Sequence, residues 1–275
     1  MPNYVRNIVT FLGKKDSLEK LIALLKQDGH DELDFNLIIP MPKELAKMDG
    51  DQDPVHVAMG EYITDGTFAC VRLKSMMYGT VKAEMEAKLG RSYKTDRELV
   101  KAFMIHTLKR PYLDDMFFAQ CVQVYKNFKK YGYTDWFDWS NDNWGTKWSA
   151  CDADSLLVLL PKEEANGEFS MTYRFDTAWT IPKGIYVALS KMFPDITIHV
   201  DYADEDYGTN CGTVCYKEGK EFRIYDSVEG TKKAVYFAIR TWNHEEMIPF
   251  VKKNKSGEWH FDVDAYDAYL DSRKK

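Results

Sequence analysis

The sequence predicts an α+β fold: an antiparallel sheet of the ferredoxin-like kind, with helices on one face, interrupted by an all-helical insertion. Three observations predict it. Strand and helix patterns follow in the order strand, helix, strands, helix, strands over residues 1–48 and 133–230. Between them, residues 49–132 read as successive helices with no strand signal. Within the outer segments, runs such as "ITIHVDY" alternate apolar and polar residues, the period of a half-buried strand.

Taken in order, "NYVRNIVTFLG" is a β-rich run ended by Gly13. "DSLEKLIALLKQDG" follows as a helix, with Asp16 and Glu19 spaced as a capping box, and Gly29 where a terminating glycine is expected. Leu18, Leu21, Ile22 and Leu25 share its apolar face. In "LDFNLIIPMPKEL", Pro40 and Pro42 impose an extended, turning path. Three helices then fill the insertion: "TFACVRLKSMMYGTVKAEMEAKLG", "TDRELVKAFMIHTLKR" opened by Thr95 and Glu98, and a third from Pro111 to Gly132 with Lys129 and Lys130 in its last turn.

After a Trp-rich loop, "DSLLVLLP" reads as a short strand covered on both faces, and "EFSMTYRFDTAW" as an alternating strand. "IPKGIYVALSKMFP" is a helix with Ile185, Ala188, Leu189 and Met192 on one face. "ITIHVDY" turns Ile196, Ile198, Val200 and Tyr202 one way and His199 and Asp201 the other. "GTVCYKEGKEFRIY" is a hairpin turning near Gly219. Residues 231–275 form a C-terminal extension packing on the core. In it "KKAVYFAIRTW" fits strand or helix, and "DVDAYDAYLDSRKK" an exposed final helix.

At 275 residues, 45% hydrophobic and 14% aromatic, the chain can bury a substantial core. No apolar run approaches the roughly 18–20 residues of a membrane-spanning helix, and Arg6 and Asn7 interrupt any secretory signal. Five scattered cysteines fit reduced thiols in a cytoplasmic protein. A net charge of −6 argues against strong nonspecific affinity for nucleic acid. It leaves room for a local basic patch or a basic partner protein.

No glycine-rich phosphate loop, nucleophile elbow or H-E-x-x-H zinc motif occurs, so no catalytic residue, cofactor or metal is assigned. "DGDQDP" starts like a calcium loop but has Pro54 and Gly60 where the turn glycine and closing glutamate belong. Cys211 and Cys215 lack the second pair a zinc ribbon needs and read as two buried thiols. His199 beside Asp201 has the make-up of an oriented base, but an exposed strand histidine is the simpler reading. The crowd of Asp201, Asp204, Glu205 and Asp206 suits a divalent metal or, more simply, a solvated acidic turn.

The segment "WFDWSNDNWGTKW", residues 136–148, holds four of the seven Trp. Exposed, its rings and Lys147 would stack a base or sugar. Buried, the indoles would close a core, with nearby Asn, Asp and Ser as partners for their N–H groups. The structural reading is favoured, with some of these aromatics lining a pocket. Asn143, Trp144, Thr146, Lys147, Trp148, Trp179, Tyr202 and Glu205 are the candidate binding residues.

In combination, "PNYVRN", "LDFNLIIPMPKEL", "NWGTKW", "FDTAWTIPKGIYVALSKMFPDI" and "YADEDYGTNCGTVCYKEG" resemble the YubB-type ferredoxin-like family of bacteriophages, conjugative plasmids and related mobile elements. The resemblance spans residues 1 to about 45 and 133 to about 220 and skips the insertion. The chain departs from it at Tyr4 and Val5, where the family commonly has Trp-Cys, and at Ile181, where a second Pro is frequent. The resemblance implies a fold and a setting but no reaction. It makes the first expectation a non-enzymatic accessory protein of a mobile element that binds a host protein, with blunting of a host defence as one purpose. The alternatives are a single-stranded nucleic-acid or RNA binder using an open sheet face, and a metal-dependent nuclease or nucleotide-processing enzyme built on Asp201, Asp204 and Glu205 beside Lys147.

Overall fold

The computed structural model describes residues 2–26, 31–50, 54–66, scattered positions between 83 and 98, and 115–273. The chain forms two compact units, one from residues 1–40 and 140–275, the other from 41–139.

In the first unit, β1 (Tyr4–Gly13), α1 (Lys15–Leu25), β2 (Lys162–Glu163) and β3 (Phe169–Ala178) are followed by a helix (Lys183–Met192), β4 (Thr197–Asp204), β5 (Cys211–Lys217) and β6 (Lys220–Asp226). The sheet order is β2-β3-β1-β4-β5-β6, every pairing antiparallel. The first four strands and two helices give the ferredoxin-like arrangement, with β1 between β3 and β4 and a hairpin added beyond β4. Register explains the core. Val5, Val9 and Phe11 align with Thr177, Tyr173 and Met171 of β3, and Val9 and Phe11 with Val200 and Ile198 of β4, all on one face. Leu18, Leu21 and Leu25 of α1, and Ile185, Tyr186 and Leu189 of the second helix, bury against that face.

The second unit contains α2 (Lys43–Ala46), α3 (Pro54–Asp65) and α4 (Asp115–Tyr131), and α5 (Trp136–Asn143) begins within it. The helix Lys183–Met192 of the first unit is α6. Where α3 crosses α4, Gly60 allows close approach: a Cβ there would lie 2.0 Å from the Cys121 carbonyl oxygen. Ala58, Met59 and Cys121 form the contact with Phe117 and Phe118 around it. The Tyr125 hydroxyl donates to Asp65 (2.6 Å), which holds its pKa up at about 12, burial adding to the effect. Among its described residues this unit is helical.

The opposite face of the sheet takes a third helix, α7 (Lys232–Thr241), whose start is capped by the Thr231 hydroxyl. Ala234 and Ala238 pack on Ala203 and Cys211 at one end of that face. The ambiguous segment from 231 is therefore helical. Beyond it lie a two-stranded sheet of β7 (Val251–Lys253) and β8 (Trp259–Phe261) and the final helix α8 (Val263–Arg273), none of whose residues is buried. No helix of the described residues is long and apolar enough to cross a membrane.

Four sequence expectations are corrected. "DSLLVLLP" is not a covered strand: Leu156–Val158 is a 3-10 turn, with Leu157, Val158 and Leu160 exposed. The Ser155 hydroxyl accepts from Leu157 N and donates to Asp31, which favours the turn over extension. Three residues per turn then bring Leu156 and Leu159 together on the buried side. Asp16 does not cap α1, which starts at Lys15 with no side-chain cap; Ser17 instead donates to Asp195. The buried stripe of α6 runs through Tyr186 and Ser190, leaving Met192 half exposed. Cys215 is partly accessible instead of buried. Gly29 and the calcium-like Asp51 and Asp53 lie outside the described residues, and the two helices expected over 67–110 fall where only scattered positions are described.

Candidate functional site

The sequence "TAWTIPKG" builds a strained corner at the end of β3. Thr180 N donates to the Ala178 carbonyl (2.9 Å), closing a three-residue turn on Trp179, whose φ is +68°. Side chains rarely take that conformation, and holding one there costs about 1–3 kcal/mol. Trp179 N also donates to Asn3 O (2.9 Å), and Asn210 Nδ2 to Trp179 O (3.0 Å). A second tight turn follows at Pro182, closed by Lys183 N on Ile181 O (2.8 Å), before α6 begins.

A buried relay fixes this corner from below. The Tyr186 hydroxyl donates to Asn7 Oδ1 (2.8 Å), Asn7 Nδ2 to Thr177 Oγ1 (2.9 Å), and the Thr177 hydroxyl to Thr180 O (2.8 Å). Asn7, Thr177 and Tyr186 are buried, so the first two bonds are shielded from water, while the third reaches out to the exposed Thr180.

The segment "NWGTKWS" lies against the corner from the side. Trp144 is buried, its Nε1 donating to Ile39 O (2.9 Å) and its ring edge-on to Phe35. Thr146 donates to Ala178 O (2.8 Å). Asn143 contributes backbone, its carbonyl packed against Gly184. These three candidates support the site from within. Lys147 lies between two indoles, with Nζ 4.8 Å from the Trp148 ring centre and 4.9 Å from that of Trp179. Such contacts contribute about 0.5–1 kcal/mol each when exposed. Trp179 itself is 41% exposed.

The other two candidates sit apart from this stack. Tyr202 is buried beside a cleft of about 320 Å³ lined by Asn210, Arg223 and Asp226; burial holds its hydroxyl pKa above the ordinary value. Glu205 accepts a hydrogen bond from Tyr4 N (3.2 Å). Asn210, which joins this cleft to the Trp179 carbonyl, escaped the sequence reading: an Asn in "GTNCG" looks like any turn residue.

The acidic residues are dispersed in their bonding. Asp204 accepts from Asn3 Nδ2 and Asp206 N, while Asp201 accepts from the Thr213 hydroxyl. Among the described residues, no group of three or more His, Cys, Asp or Glu is placed to hold a metal ion.

No curated protein matches the chain. Among solved structures, the crystal structure of a protein api92 from Yersinia pseudotuberculosis aligns over 83% of this chain and 98% of its own, with 11% identity and a TM-score of 0.36. Residues 162–248, the stretch from β2 through α7 that carries Trp179, Tyr202 and Glu205, match the family described as the ferredoxin-like domain in Api92-like protein.

Proposed function

We propose that the chain is a non-enzymatic recognition protein that binds a partner protein through the Trp148–Lys147–Trp179 stack. One observation carries this reading: Trp179 is kept substantially exposed in a strained turn that a buried relay and two backbone contacts hold in place. Strain persists where surrounding structure over-determines it, and such residues cluster at active sites, ligand clamps and switch regions. Rigid indoles also dominate interface energetics. The finer reading, from the sequence resemblance, is a YubB-type accessory protein of a mobile element, cytoplasmic, whose partner is a host protein.

The test compares capture from bacterial lysate by wild type and Trp179→Ala, matched for melting temperature. A protein held by wild type and lost by the variant is then purified and titrated. Kd should weaken by about 30-fold or more, the effect of a central interface Trp. Equal binding by both forms would sink the reading.

The Lys147 position between two rings favours one alternative, stacking of a single-stranded base on the exposed indole. That reading requires a gel shift with short single strands that weakens steeply as salt rises.

A further inference from the structure

On the face of the sheet that α7 leaves partly open, cross-strand register aligns His199 of β4 with Cys215 of β5, and Asp201 with Thr213. Cys215 Sγ lies 3.3 Å from His199 Nδ1, and His199 Nε2 lies 3.6 Å from Asp201 Oδ1. Asp201 is in turn fixed by the Thr213 hydroxyl. A carboxylate at Nε2 favours the tautomer protonated there, which leaves the Nδ1 lone pair facing the thiol. The three groups thus have the order of an activated nucleophile: thiol, base, and a group that orients the base. His199 and Asp201 are each about one-third exposed, at 34% and 39% of their side chains, so a reagent can reach them. Asp201 also lines a cleft of about 450 Å³ with Ile8, Lys233, Tyr236, Phe237 and Arg240. Two cations, Lys233 and Arg240, therefore share with Asp201 the cleft next to the His199–Cys215 pair in the sheet register.

We infer that Cys215 is a base-assisted nucleophile that exchanges with small disulfides carrying carboxylates, storing one half as a mixed disulfide. Cys215 Sγ attacks one sulfur of the incoming disulfide as its proton passes to His199 Nδ1. A new S–S bond forms, the old one breaks, and the departing thiolate takes the proton back from His199. Cys215 is oxidised to the mixed disulfide, and the released half is reduced to a thiol. Asp201 is a positioning residue that also stabilises the transient imidazolium. Lys233 and Arg240 attract the carboxylates. Burial, and then the Asp201 charge, keep the thiol above its ordinary pKa. The group therefore rests as a thiol and is deprotonated in the encounter, which is why the histidine is needed.

The other thiols of the unit supply an internal control. Cys151 donates to Asp176 O, burial pushing its pKa up to about 11, and Cys211 is buried against Ala234 O. Neither has a histidine at its sulfur among these contacts. The experiment incubates the full chain with oxidised glutathione, which is anionic, or with cystamine, which is cationic, and follows each cysteine by peptide mass spectrometry. Cys215 should acquire the glutathionyl group before Cys151 and Cys211. His199→Gln should slow this about 10²-fold, the scale of general-base assistance, and Asp201→Asn should slow it in the same direction. Arg240→Gln should reduce the preference for glutathione over cystamine about tenfold. Thermal melting of each variant separates lost chemistry from lost fold. A Cys215 rate equal to that of Cys151, or one unchanged in folded His199→Gln, overturns the nucleophile. Equal rates with the two disulfides overturn the substrate class.

Discussion

Asn7 is fully buried in the middle of β1, on a face otherwise made of Val5, Val9 and Phe11. A primary amide there is tolerated only because its polar atoms are paired. The Tyr186 hydroxyl supplies the donor for Oδ1, and Val5 O and Thr177 Oγ1 accept from Nδ2. Burial holds the Tyr186 hydroxyl well above its ordinary pKa, so it remains a donor across the usual pH range. Tyr186→Phe keeps the ring packed on Tyr216 but leaves Asn7 Oδ1 without this donor. The expected loss is about 1–3 kcal/mol, the cost of a buried acceptor left unmet. Urea denaturation should show a lower midpoint with an unchanged slope; a loss below about 0.5 kcal/mol would show that the amide is met otherwise. This residue was illegible in the sequence. An Asn at that position breaks the apolar alternation of "YVRNIVTF" and looks like noise, because its partners lie about 170 and 179 residues away.

Elements, by contrast, were largely legible wherever period and punctuation agreed. The hairpin at Gly219, the alternation of β4 and the end of α4 at Gly132 follow from local chemistry alone. "DSLLVLLP" failed because five consecutive apolar residues satisfy a strand and a 3-10 turn equally, and the deciding bond runs to Asp31, far away in sequence. The pairing of "NWGTKW" with "TAWTIPKG" stood out as motifs, but its reason is visible only in three dimensions: two backbones touch. Gly145, at φ +86°, and Gly184 make that contact, with Gly184 N donating to Trp144 O (3.1 Å). A Cβ at Gly184 would lie 1.8 Å from Asn143 O, a backbone atom that cannot swing aside as a side chain would. Gly184→Ala should therefore cost about 3 kcal/mol or more, beyond ordinary overpacking. The drop is measurable by thermal or urea unfolding, with Trp fluorescence reporting the displaced Trp144. A variant as stable as wild type would mean that the 140–148 segment shifts freely, and the rigid Trp148–Lys147–Trp179 stack would go with it.

At the scale of the whole molecule, burial is graded across the chain, and the gradient sets which parts open first. β1 is hydrogen-bonded on both edges, to β3 over Tyr4–Gly13 and to β4 over Val5–Leu12, and one face is sealed by two helices. Val5, Val9 and Val200 have no exposed surface. At the other extreme, α8 has no buried residue and is held by ring contacts such as Phe250–Tyr266 at 5.3 Å, while β7 and β8 pair over only three residues each. The last helix reads as exposed in the sequence, which carries no sign that α7 would cap only one end of the second face. Small residues at Ala234 and Ala238 admit close approach to Ala203 and Cys211 there, while Thr10, His199 and Cys215 remain partly accessible. Local opening follows local burial, up to the limit of global unfolding. Amides of β1 and of its neighbours in β3 and β4 should thus exchange with solvent only through global unfolding. Those of residues 251–273 should exchange about 10³-fold or more faster, a gap set by the few kcal/mol that separate fraying from full unfolding in a domain of ordinary stability. Hydrogen-exchange mass spectrometry reads the two classes directly. If 263–273 proved as protected as β1, the C-terminal extension would have to be part of the cooperative core, and its lack of buried side chains would have to be offset by contacts the isolated chain does not make.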